Sequence, residues 1–165
     1  MNHSYRKAWL CLFPALLSGA VCWADDLDSP EAKKLLAAPL VQVAADGSIP
    51  AGPAKPDVVG DPAFRKLSIE RDDEHHRLVV SGVICSTNSG FDVQDAVVYV
   101  GYSNGFLRLA AISNMKGEVL FSASPTQATT SGKNAVATHL YVCHYFAGYS
   151  NPASKTILRE YKIPQ

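Results

Sequence analysis

From residue 64 onward the chain alternates apolar and polar positions with a period close to two, in short runs separated by turn-forming residues. FRKLSIERDD (64–73) alternates roughly, as a strand near a sheet edge does. HRLVVSGVIC (76–85) follows the polar turn DDEHH, and the loop STNSGFDVQD leads into AVVYVGY (96–102). Asn104-Gly105 then separates that run from FLRLAAI (106–112), a short-range hairpin signal. SNMKG predicts the next turn, EVLFSAS (118–124) the next strand and PTQATTSGKN a polar loop. AVATHLYVCHYF (135–146) and SKTILREYKI (154–163) complete the pattern. β-Branched and aromatic residues dominate these runs, and turns recur every eight to twelve residues. The expectation is an all-β fold: an antiparallel, two-sheet Greek-key sandwich of about seven strands. Ala96, Val98 and Val100 share one pleated face that suits a core, and Val79, Val83 and Cys85 are expected to form the inner face of their strand.

The first 63 residues read differently. Arg6 and Lys7 precede an apolar stretch from Ala8 to Val21, with small residues before Asp25-Asp26. This is the pattern of a cleaved signal peptide, residues 1–24, with cleavage after Ala24 preferred over Ala20. The stretch is shorter than the roughly twenty apolar residues of a membrane span. In DSPEAKKLLAAP, Ser29 is an N-cap candidate, Pro30 takes the first helical position and Pro39 ends the run, predicting a short helix. Seven of residues 44–63 are Gly or Pro, so residues 25–63 read as a helix plus linker arm, with the domain spanning 64–165.

The whole chain carries 15 basic and 15 acidic side chains. Loss of Arg6 and Lys7 with the signal leaves 13 against 15, a net charge near −2. That balance, with no basic cluster, argues against nucleic acid. Export implies a secreted or periplasmic location and an oxidising compartment, where the two remaining cysteines, Cys85 and Cys143, are expected to form a disulfide. Closing a loop of that length is worth about 4 kcal/mol in the chain-entropy treatment.

Candidate chemistry is sparse. No C-x-x-C motif supports disulfide exchange, and no G-x-S-x-G setting surrounds Ser81, Ser86 or Ser89. His139 and Cys143 fall on one face of a strand, about 13 Å apart, and His144 on the other, so the three do not close a metal shell. His75 and His76, beside Asp72, Asp73 and Glu74, are candidates for a surface copper or zinc ion, set against a plain solvated turn. Tyr102, Phe106, Tyr145, Phe146 and Tyr149 sit at strand ends and loops, where exposed aromatics would form a contact surface.

Val80-Ser81-Gly82-Val83, Asp95-Ala96-Val97-Val98 and Ser113 to Val119 together resemble the carboxypeptidase-regulatory-like domain, a transthyretin-like (prealbumin-like) sandwich. Asp92-Val93-Gln94 replaces the Pro-Leu usual before the second motif, and Val119 replaces the usual Phe. The resemblance implies a non-catalytic module that binds a protein or surface polysaccharide, with no cofactor. A metal-binding protein and a small secreted hydrolase are the alternatives.

Overall fold

The computed structural model describes residues 27–44, 48–49, 62–144 and 156–165. The signal segment and the aromatic positions Tyr145, Phe146 and Tyr149 lie outside the described residues. Among the described residues helix α1 (Pro30–Leu36) is followed by nine strands: β1 (Leu40–Val43), β2 (Pro62–Asp72), β3 (Arg77–Ser86), β4 (Ala96–Tyr102), β5 (Leu107–Ile112), β6 (Glu118–Ala123), β7 (Thr126–Ala128), β8 (Asn134–His144) and β9 (Thr156–Lys162). Antiparallel pairing builds two sheets, one in the order β1-β9-β8-β4-β5 with β7 joined to β8, the other β2-β3-β6. The chain is therefore an all-β two-sheet sandwich, and each of the seven strands read from the alternating runs is present.

The main core lies between the sheets. From the small sheet come Phe64, Leu78, Val80, Ile84 and Val119; from the large sheet come Ala96, Val98, Val100, Leu140, Val142 and Tyr161. The inner face of β3 is thus Leu78, Val80 and Ile84, not the expected set of Val79, Val83 and Cys85. Gly82 decides this parity. It belongs to the same face as Val80 and Ile84, and a Cβ there would lie 2.7 Å from the Phe64 ring and 2.6 Å from the Lys66 carbonyl oxygen. Its missing side chain admits the phenylalanine.

Of the three pairing shifts among the described strands, two complicate the alternation of core positions. Pairing shifts between Phe64 and Lys66, so Phe64 faces inward before Arg65 while Leu67 and Ile69 face inward after it. A second shift, at Thr138, lets Ala135 and Ala137 share the core with Leu140 and Val142. Each inserts one residue and so reverses which positions of the strand meet the core.

The segment read as an arm contributes to the sandwich. Ser29 caps α1, its Oγ accepting the Ala32 N–H at 3.1 Å. At the other end Arg159 of β9 donates through Nη1 to the carbonyls of Leu36 and Ala38, both at 2.8 Å. A cation there satisfies carbonyls that a helix end leaves open. Strand β1 then pairs with β9 from Leu40↔Arg159 to Val43↔Thr156. The folded unit accordingly reaches back to the cap at Ser29 rather than starting at Phe64.

A second apolar cluster covers the outer face of the large sheet: Val41, Val43, Val97, Tyr141, Cys143 and Leu158. Beyond β1 the Ala44 N–H donates to the Ser48 carbonyl, and Ile49 packs onto this cluster.

Candidate binding surface

The expected disulfide is not formed. Cys143 projects from β8 into the outer cluster, whereas Cys85 belongs to β3 of the small sheet. The large sheet itself separates the Cys143 thiol from the small sheet. Burial pushes the Cys143 thiol up to about 11, which leaves it protonated and poorly nucleophilic near neutral pH.

The histidine-bearing turn is organised around Asp72. His75 Nδ1 lies 2.9 and 3.0 Å from its two carboxylate oxygens, and Arg77 Nε lies 2.7 Å from one of them. Hydrogen bonds from Arg77 first and His75 second hold the Asp72 carboxyl down at about 2. His76 takes a left-handed conformation, φ 48°, at the turn itself. On β8, His139 Nε2 lies 3.2 Å from Glu160 of β9, and the Tyr141 hydroxyl donates to the same carboxylate oxygen at 3.3 Å. Burial, then the Glu160 charge, raises the Tyr141 phenol. Among the described residues no three His, Cys, Asp or Glu side chains converge to hold a metal ion.

Tyr102 must be withdrawn from the aromatic contact set. It is buried in the main core, and its hydroxyl donates to the Ser124 carbonyl at 3.1 Å. Phe106 is exposed beside the β4–β5 turn. Among the serines, Ser86 accepts the N–H groups of Asn88 and Ser89 with its hydroxyl, and so shapes the loop. Ser113, which the alternation did not single out, is buried. Its Oγ donates to the Val93 carbonyl at 2.6 Å and accepts the Ala96 N–H at 2.9 Å, tying the loop before β4 to the end of β5.

Exposed large apolar side chains are the more telling set. Leu109 and Ile112 on β5 are 53% and 48% exposed, Met115 in the following turn 81%, and Leu120 on β6 76%. Phe91, also exposed, lies in the loop next to Asp92, whose Cβ would sit 3.3 Å from a Cβ at Gly117. Gly117 takes φ +69° in the turn that carries Met115, as its sequence position predicts. Phe91, Ile112 and Met115 therefore mark one end of the sandwich, and Leu109 continues the band along β5. Leu107, Leu109 and Ile112 stand in register with Gly101, Tyr99 and Val97, so this band extends the outer cluster of the large sheet. Around Leu120 a shallow groove of about 310 Å³ is lined by Ser81, Val83, Asn114 and Glu118.

The sheet edges differ in their protection. α1 packs against β2, which also carries a bulge and a run of charges. β1 is four residues long. β6 presents Glu118. Among the described residues β5 pairs with β4 alone, and its sequence LRLAAI holds a single charge, Arg108. Exposed apolar edges of this kind are what folded proteins ordinarily blunt. The alternation in FLRLAAI could have signalled it, but the pattern of a core face and that of a docking face are the same.

No family model, curated protein or solved structure matches the chain. Among the described residues no helix is long and apolar enough to cross a membrane.

Proposed function

We propose that this protein is an exported, non-catalytic sandwich module that binds a partner protein through the apolar band of β5 and the adjoining turn. The observation carrying the reading is the grouping of Leu109, Ile112 and Met115 beside an open sheet edge. Exposed apolar surface costs solubility, and its concentration at one place is characteristic of interaction sites. Three further features support it: the signal-like residues 1–24, the near-neutral charge without a basic cluster, and the resemblance of the glycine-bearing motifs to carboxypeptidase-regulatory-like domains.

Site-directed photo-crosslinking in the native host tests the proposal. Benzoylphenylalanine at Ile112 or Met115 is expected to yield one adduct of defined mass, while the same group at His76 or Glu70 yields none. Equal or absent labelling at all four positions would refute the binding role. The intact mass of the mature chain checks export, with Asp25 expected at its start.

A further inference from the structure

Resting on that reading, we infer that β5 receives an added strand from a different protein, one alternating aliphatic residues with a carboxylate placed against Arg108. An edge strand offers a row of backbone donors and acceptors, and an extended peptide that pairs with them continues the sheet. On β5 the side chains already present a pattern for such a strand to match. Leu107 and Leu109 lie on the outer face and Arg108 between them on the opposite side, in register with Val100. A partner strand with aliphatic residues beside the leucines would extend the cluster that begins at Val97 and Tyr99. The shift in pairing at Ala110 interrupts the edge, so the new pairing centres on residues 107–109.

Charge selects the occupant. Arg108 is exposed and makes no ion pair among the described residues. A second copy of β5 would bring another arginine and no carboxylate, since LRLAAI contains none. A heterologous strand with an acidic residue supplies the missing charge, and opposite charges across paired strands are favourable.

The probe is the blocked peptide Thr-Val-Glu-Val-Thr-Val, added to the mature chain and followed by amide exchange and titration. Slowed exchange at the amides of Leu107 and Leu109 is expected, with binding weakened roughly fivefold by Arg108→Glu. A lysine-for-glutamate peptide should reverse that preference, and Leu120→Lys on the other sheet should leave both unchanged. Methylating the peptide nitrogens that face β5 should abolish binding. Strand addition is overturned if the methylated peptide binds equally well, if Arg108→Glu leaves charge preference unchanged, or if β5 amides gain no protection. It is also overturned if the chain dimerises through β5 and Leu109→Lys dissolves the dimer. Crosslinks at Ile112 without β5 protection would remove the strand-addition mode alone; absence of both would remove the binding role as well.

Discussion

Ser113→Ala should loosen the sandwich more than any comparable deletion of one oxygen atom on its surface. Ser113 is 3% exposed, and its Oγ serves two backbone groups at once: the Val93 carbonyl at 2.6 Å and the Ala96 N–H at 2.9 Å. The alanine variant keeps the main-chain bonds of this position, Ser113 N–H to Ala96 and Asp95 N–H to Ser113. It loses only the hydroxyl. The Ala96 N–H is then buried without an acceptor, at a cost of about 1–3 kcal/mol. Val93 is only partly buried, so water can reach its carbonyl and the second loss is smaller. The sum is about 2–4 kcal/mol, a large share of the roughly 5–15 kcal/mol that holds a domain folded. Both tryptophans, Trp9 and Trp23, lie within the signal-like residues 1–24, so urea unfolding of a chain beginning at Asp25 is best followed by far-ultraviolet circular dichroism. Ser122→Ala, exposed on β6, serves as the control and should stay within about 0.5 kcal/mol of wild type. A Ser113→Ala change below about 0.5 kcal/mol, at unchanged urea dependence, would refute the bridging role.

Gly82→Ala should destabilise by about 1–3 kcal/mol in the same assay, because its Cβ would displace the Phe64 ring and meet the Lys66 carbonyl. Asp72 sets an acid limit: its folded pKa lies below the ordinary 3.8, so its stabilisation is full above that value and is lost as pH falls through about 2. Carboxyl NMR titration should find the Asp72 midpoint displaced upward in Arg77→Met. Thiol counting on a chain beginning at Asp25, denatured without reductant, should find both Cys85 and Cys143 reactive, with Cys143 protected until unfolding. Recovery of no thiol would restore the expected disulfide.

Much of the architecture is legible in the linear pattern because it is local. Alternation with β-branched residues marks seven strands, Asn104-Gly105 marks a hairpin, and Ser29-Pro30 marks a helix start. The inner face of β4, where no extra residue enters the paired core positions, is also correct: Ala96, Val98 and Val100 are all in the main cluster. What the pattern misses depends on partners distant in the chain. β1 becomes a strand by pairing with β9, more than a hundred residues later, since four residues of LVQV have no strand stability of their own.

The candidate surface divides in the same way. Residue type alone sets the expectation of a non-catalytic module that does not bind nucleic acid, and it nominates aromatics at strand ends. Only packing shows that Tyr102 is core, and that Cys143 lies on the outer face of its sheet. An alternating run specifies two faces but not which one meets the opposing sheet; a single bulge exchanges them, as at Arg65 and Thr138. Likewise, LRLAAI announces a strand by itself. Its standing as the last strand of its sheet among the described residues, with Leu109 and Ile112 exposed, follows from sheet order, which is settled by pairings between strands far apart in the chain.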